Sequence, residues 1–335
     1  MFVLECRNMR WLGAGLVLSA GCLAGETPKD ALAPAVAPLD MLPPAADATS
    51  VLNRVDRDGI RGELLPLGFL SAEEGGMRNL TTLAWEIPGG TEQYLCGRVT
   101  IPEDVYIRGF KPLSPPGTHH TALTVREAPN APDGVNACDV SEVGASNVFG
   151  SGVGTGGKTL PEGVGVKLAR GSQVILNLHL LNATDTPLRG QSGTWVETTT
   201  ADQVRQLADG VAVGPLKLTV PPGRSVQGGV CTVDRDYTIY GLMPHMHQNG
   251  VHMRVFAQHA GMPELLIHDA PYDFDNQIAH GIEPMLMRTG DSMRVECTFE
   301  NQTGRTLHFG ESSNDEMCLA GVARYPAGGK SACPY

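Results

Sequence analysis

His245 and His247 lie one residue apart in the run Tyr237 to His247, which reads as an extended strand. Side chains two apart on a strand share a face, about 7 Å from one another along the backbone, so both imidazoles can converge on one ion. In the run Gln173 to Leu181, His179 falls on the face of Gln173, Ile175 and Asn177, opposite Val174, Leu176, Leu178 and Leu180. That face points away from the expected core, and a histidine on it needs a partner. His119 and His120 are adjacent, directly after Pro115-Pro116-Gly117-Thr118. Successive strand residues face opposite ways, so these two rings can share a site only if a bulge or a strand end re-aims one of them. Each histidine, taken singly, also fits a hydrogen-bonded structural role, and His-x-His alone fits zinc or chance equally well.

Eight cysteines add a second pattern. Setting aside Cys6 and Cys22 leaves Cys96, Cys138, Cys231, Cys297, Cys318 and Cys333, an even set suited to three disulfides in an oxidising compartment. None sits in a C-x-x-C pair, which argues against a thiolate zinc site or a redox dithiol. Spacing leaves all fifteen connectivities of six cysteines open. Two other motifs are set aside. Gly152, Gly157, Lys158 and Thr159 match the phosphate-loop pattern, but Leu160-Pro161-Glu162-Gly163 follows where a helix is required, so a flexible surface loop is expected. The sequons beginning at Asn79, Asn182 and Asn301 are read as chance.

The elements that must position these groups are strands. Met293, Val295, Cys297 and Phe299 alternate with Arg294, Glu296, Thr298 and Glu300 between Gly290-Asp291 and Asn301-Gln302-Thr303-Gly304. A clean period of two means one buried and one wet face. Comparable runs are Tyr106 to Phe110, His120 to Val125, Val174 to Leu181, Leu216 to Val220, Tyr237 to Leu242 and His252 to Gln258, while only Thr200 to Leu207 suggests a helical turn or two. With 41 glycines, 24 prolines and 18% charged residues in 335, the composition suits short strands and turns and excludes a helical bundle. Antiparallel sandwiches are the natural architecture, and the length suits two domains, with Thr198 to Gly210 as the boundary. No internal repeat of fixed period is visible. A net charge of −11 offers no basic field for a phosphate backbone, so nucleic acid is not an expected partner.

The amino terminus reads as an address. Arg7 and Arg10 precede an apolar run from Trp11 to Ala20, too short for a bilayer span of ~20 residues and suited to a signal peptide over residues 1–21. Glu5 is unusual there, so translation starts at either Met1 or Met9. Leu18-Ser19-Ala20-Gly21-Cys22 resembles a bacterial lipobox, with ordinary signal cleavage as the alternative. On the lipobox reading Cys22 is acylated, residues 22–50 form a Pro/Ala-rich tether, and the product is an exported lipoprotein on the outer membrane, facing the periplasm or the cell surface. The membrane is then met only through the Cys22 lipid.

Seven stretches in order carry a resemblance. Tyr94-Leu95-Cys96, Thr118-His119-His120, Leu160-Pro161-Glu162-Gly163-Val164-Gly165, the strand ending at His179, Val220-Pro221-Pro222-Gly223, His245-Met246-His247 and Ser313-Asn314-Asp315-Glu316-Met317-Cys318 together resemble the copper type II, ascorbate-dependent monooxygenases. That family includes peptidylglycine α-hydroxylating monooxygenase and dopamine β-monooxygenase, and the likeness covers roughly residues 85 to 335. It implies an all-β fold of two consecutive antiparallel β-sandwich, jelly-roll-like domains, here 51–205 and 206–335, with one copper in each and a solvent-filled cleft between them.

Carried over by position, His119, His120 and His179 resemble the ligands of the electron-transfer copper, and His245, His247 and Met317 those of the oxygen-binding copper. A thioether is soft and favours Cu(I), which gives Met317 a role beyond packing. The resemblance also implies the pairs Cys96 with Cys138, Cys231 with Cys333 and Cys297 with Cys318, and ligand-orienting roles for Tyr94 and His308. The implied reaction hydroxylates an aliphatic C–H of a small organic substrate with dioxygen, using ascorbate or another one-electron donor. The peptide-amidating branch departs from this sequence at the substrate: its carboxylate-gripping arginine is Met243 here, its asparagine and tyrosine past the methionine are Leu319 and Gly321, and its glutamine is Asn177. A glycine-extended peptide is therefore not the expected substrate. A copper-binding lipoprotein for storage or delivery is the main alternative, and a zinc or structural-metal sandwich the weaker one, because methionine is a poor zinc ligand.

Overall fold

The computed structural model of the protein describes residues 61–64, 69–70, 73–138, 145–152, 154–310 and 312–333. The expected signal segment, Cys22 and the expected 22–50 tether lie outside the described residues. Val51–Tyr335 forms one compact unit. It is built almost entirely of antiparallel strands, and the described residues contain no helix long and apolar enough to cross a membrane.

Two sheets form from the strands up to Thr199. In one, Met77–Ile87, Leu188–Thr199 and Val105–Leu113 are the central neighbours; in the other the order is Gly134–Ala137, Thr91–Thr100, Gln173–Asn182, Thr118–Arg126, Ser146–Gly152. Leu83, Leu95, Ile107, Leu123, Leu176 and Leu178 fill the space between them. From Asp209 onward two more sheets form. One runs His280–Met287, Tyr237–Met246, Cys318–Tyr325, Asp209–Val213, Ala332–Cys333, and the other Gly223–Thr232, Ser292–Asn301, Gly250–Gln258, Leu265–Pro271. Their core includes Ile239, Leu242, Val255, Val295 and Phe299. Tyr240, although on a strand of the second pair, packs into the core of the first.

The alternation read at Met293 to Phe299 is observed: Met293, Val295, Cys297 and Phe299 are all fully buried while their neighbours are partly or fully exposed. Several expectations need correction. The helical turn expected over Thr200 to Leu207 is a 3-10 turn at Ala201–Gln203 only, after which Gln206–Leu207 pairs as a strand. The strand expected over Leu216 to Val220 is reduced to Thr219–Val220. The expected flexible surface loop at the glycine-rich segment is anchored, because Lys158–Thr159 pairs with Phe110 and Gly109. The sequon asparagines Asn182 and Asn301 are buried and build the same turn: each Oδ1 accepts from the threonine two residues on, at 3.0 Å from its N–H and 2.7 Å from its hydroxyl. Each side-chain amide donates at 2.8 Å to the carbonyl four residues on. This is the Asx geometry that favours asparagine at strand exits.

Three disulfides close the fold, Cys96–Cys138, Cys231–Cys333 and Cys297–Cys318, the pairing the family resemblance implies.

Candidate metal centre

His120 and His179 face each other across paired strands, and the register slips at this point: His179 pairs with His120, while Leu180 pairs with Thr118. His119 is thus the extra residue of a β-bulge. The bulge turns its ring to the side of its neighbour, which regular alternation forbids. His119 Nδ1 and His179 Nδ1 each lie 3.2 Å from His120 Nδ1, and a ligand atom from each of the three buried rings lies within 4.8 Å of the others. For metal–nitrogen bonds of ~2.0 Å, two ligands of a tetrahedral ion stand ~3.3 Å apart, so this spacing fits an ion among the three nitrogens.

Burial, followed by the neighbouring His179, pushes His119 down to about 4, and burial with the surrounding rings pushes His120 well below the ordinary imidazole value. Both are neutral at pH 7, with lone pairs to offer. The tautomer of His179 follows from its partner. Burial works to raise Glu92, but hydrogen bonds from His179 and Ser313 outweigh it and hold the carboxyl at about 2. An ionised carboxylate only accepts, so His179 Nε2–H donates to Glu92 at 2.6 Å and Nδ1 is left as the donor atom toward a metal. Tyr94 stacks on the other side of the His179 ring at 4.4 Å. The face of this strand that points away from the expected core is covered: Gln173 bonds to Ala131 and Asp133, and Asn177 reaches Cys138. Alternation reports which residues share a face, not what another segment lays over it.

His245 and His247 share a face as expected, with ring centroids 5.3 Å apart. Their Nδ1 atoms are occupied. His245 donates to Gln277 Oε1 at 2.8 Å, whose own amide is fixed by donation to Phe274 O, and His247 faces the Asp315 carbonyl at 3.3 Å. Both Nε2 atoms are therefore free to bind. Burial, with His245 next in effect, holds His247 at about 3. Met317 is 5% exposed. The pairing of His245 with Leu319 and Met246 with Cys318, continued by one residue, sets Met317 across from His247 on the face of both imidazoles. Glu316, fully buried, locks this arrangement by accepting from His247 N at 3.1 Å, Asn249 N at 2.8 Å and Asn249 Nδ2 at 3.0 Å.

The expectation of two ligand sets facing each other over open solvent is corrected here. The rings of His120 and His245 are only 5.3 Å apart. The 272–279 segment spans both sets, with Phe274 lying 4.1 Å from the His119 ring and Gln277 on His245. Gly150 and Gly152 permit the approach, because a Cβ would lie 2.7 Å from Met243 Sδ at the first and 2.5 Å from Gln277 O at the second. A cavity of about 320 Å3 is lined among others by Ala122, Phe149, Gly150, Leu242, Met243 and Gly321, of which Ala122 and Met243 stand two residues from His120 and His245 on the same strands. His308 is also corrected. Its side chain is exposed, and its contribution is the backbone carbonyl that accepts from Glu316 N at 3.0 Å.

Sequence reasoning missed Glu92, Phe274, Gln277 and Ser313. Ser313 lies inside the motif Ser313 to Cys318 and Glu92 two residues before Tyr94-Leu95-Cys96, but no local pattern gives either one, or Gln277, a role.

Residues 210–335 match the family described as copper type II ascorbate-dependent monooxygenase, C-terminal domain. The matched region contains His245, His247 and Met317. Among solved structures, the chain is similar to a β-porphyranase of glycoside hydrolase family 86 from the human gut bacterium Bacteroides plebeius, at 10% identity over 80% of this chain and 37% of that one, with a TM-score of 0.18. It is also similar to PNGF-II, at 7% identity over 81% of this chain and 66% of that one, with a TM-score of 0.25. This chain therefore spans about a third of the porphyranase and just under two thirds of PNGF-II. At these scores the likenesses define no shared fold.

Proposed function

We propose that the protein is a copper-dependent monooxygenase that hydroxylates an aliphatic C–H of a small organic substrate. In balance, substrate, dioxygen, two electrons and two protons give alcohol and water, the electrons coming singly from ascorbate or another external donor. Bound copper would supply the one-electron redox steps and the reaction with dioxygen. The residues do the rest. His119, His120 and His179 offer three Nδ1 atoms for one ion, with Glu92 and Tyr94 fixing the His179 ring between them. His245 and His247 offer Nε2 atoms, and Met317 adds a thioether that favours the reduced ion. Phe274 and Gln277 shield the ligands from bulk water.

The cavity beside Met243 and Ala122 suits a small, largely apolar substrate. Its one ammonium among the described lining residues is Lys158, which lies 5.3 Å from the Tyr240 ring and is pushed down by burial. The observation that carries the proposal is the meeting of two different ligand sets, all-imidazole and imidazole with thioether, at the His120–His245 contact. A copper store has no need of unlike sites in contact. As part of the same reading, Cys22 anchors the exported protein to a membrane. The test is oxygen uptake by the copper-loaded protein with ascorbate, followed by mass spectrometry of products formed under labelled dioxygen. Ascorbate oxidation without incorporation of label into any of a panel of small organic substrates would oppose the assignment.

A further inference from the structure

His268 and His280 are used by none of the above, yet their ring centroids are 5.2 Å apart. That is the spacing of the pairs already described: 5.3 Å for His245 with His247, 5.0 Å for His119 with His179. The two come from different sheets. His268 lies on Leu265–Pro271, the edge strand of the four-stranded sheet, and His280 on His280–Met287, the edge strand of the five-stranded one. Register shows which way they face. His268 pairs with Val255 and His280 with Leu242, both interior residues, so both rings belong to the inner side of their sheets at the open rim between them.

Both histidines line a cavity of about 30 Å3, together with Pro244, Met253, Ala270, Gln277 and other residues. Its lining thus includes two histidines and one methionine, the residue types of the His245, His247 and Met317 set. Imidazole binds copper in either state, and a thioether biases a site toward Cu(I). His268 is half-buried and His280 exposed, which opens the cavity to incoming metal. His252 and Asp269 pair with each other at 3.1 Å, and their strand positions put them on the outer face.

We propose that His268, His280 and the Met253 thioether form a third, peripheral binding site for Cu(I). The chain between the two histidines includes the 272–279 segment that places Phe274 on His119 and Gln277 on His245. An ion held at both ends of this segment clips its base, and the ordering of the clip is felt at both inner ligand sets. The site does not depend on whether the inner sites turn over oxygen.

The experiment titrates the full-length protein anaerobically with Cu(I) against a competing chromogenic chelator. Parent protein should retain about one more equivalent than His268→Ala/His280→Ala, and His245→Ala should lose a separate equivalent. Because His280 is exposed, His280→Gln alone serves as a variant whose folding is not at issue, and it should weaken the same equivalent. Equal retention by parent and both variants overturns the site. Hydrogen exchange of the 272–279 amides should slow when the extra equivalent is added to parent but not to the double variant; unchanged exchange overturns the clip. Failure of the proposed oxygenation would show instead as normal copper retention without labelled product.

Discussion

Ser313 donates its hydroxyl proton to Glu92 Oε1 at 2.5 Å, although 221 residues separate the two. The same oxygen accepts from His179 Nε2. One carboxylate therefore orients a ring of the three-histidine set and tethers the turn that leads into Met317.

Glu92→Gln keeps the size of the side chain and removes its charge. The His179 tautomer is then no longer enforced, and loss of such an orienting partner costs ~10- to 100-fold in metal affinity. Copper competition should show this loss for the ion at the three histidines, whereas Ser313→Ala should cost less, because His179 keeps its acceptor. Equal affinities for Glu92→Gln and parent would remove Glu92 from the site.

His245→Ala should release about one copper per chain and leave the ion at His119, His120 and His179 in place. Because the His120 ring lies 5.3 Å from His245, the electron paramagnetic resonance spectrum of the retained ion should shift. Metal analysis that finds no copper lost would sink the two-set assignment.

Met317→Ile keeps volume and hydrophobicity, so the fold should survive at a cost below ~1.5 kcal/mol. Cu(I) affinity at the His245 and His247 site should fall because the soft ligand is gone. Single-turnover product formation should drop at least ~100-fold, a transition-state loss of about 2.7 kcal/mol. Parent-like turnover would mark Met317 as packing.

The Cys297–Cys318 bridge joins the strand Ser292–Asn301 to the residue after Met317 and closes a loop with a sequence separation of 21. Replacing both cysteines with serine should lower stability by about 2 to 4 kcal/mol in denaturant unfolding. Copper at the methionine site should exchange faster. A stability change near zero would contradict the role assigned to the bridge.

The metal-free protein should lose stability on mild acidification. His119 and His247 are held at about 4 and about 3 against an ordinary value of 6.5, so below pH 6.5 the unfolded chain takes up protons that the folded one refuses. Stability present above pH 6.5 should fall as pH drops toward 4 and further toward 3. Glu92 acts in a different window, since its contribution is complete above its ordinary 4.5 and is lost as pH falls through about 2. Thermal midpoints at pH 7, 5.5 and 4 check this, and a flat series would contradict it.

Much of the site was legible where chemistry follows from local spacing. His-x-His on an extended run required only the period of a strand, and Met293 to Phe299 displayed its buried face directly. The convergence of His119 with His120 required a bulge that depends on how Leu180 pairs with Thr118, a partnership 62 positions long that no local pattern encodes. Glu92 and Gln277 were invisible for the same reason, since each acts on a ligand brought to it by the fold, 87 and 32 residues away. His308 misled in the opposite sense: its position beside the methionine loop was read correctly, but it is its carbonyl that works there.

Gly150 and Gly152 act as a spacer of zero thickness. A methyl group at position 152 has no room within 2.5 Å of a backbone oxygen, and the atom it would strike belongs to Gln277, the residue that holds His245. Two absent carbon atoms, one at each glycine, therefore leave the room in which the two histidine sets approach. The distance from His120 to His245 thus becomes a steric quantity, adjustable one methyl at a time at position 152, the cross-strand neighbour of His120.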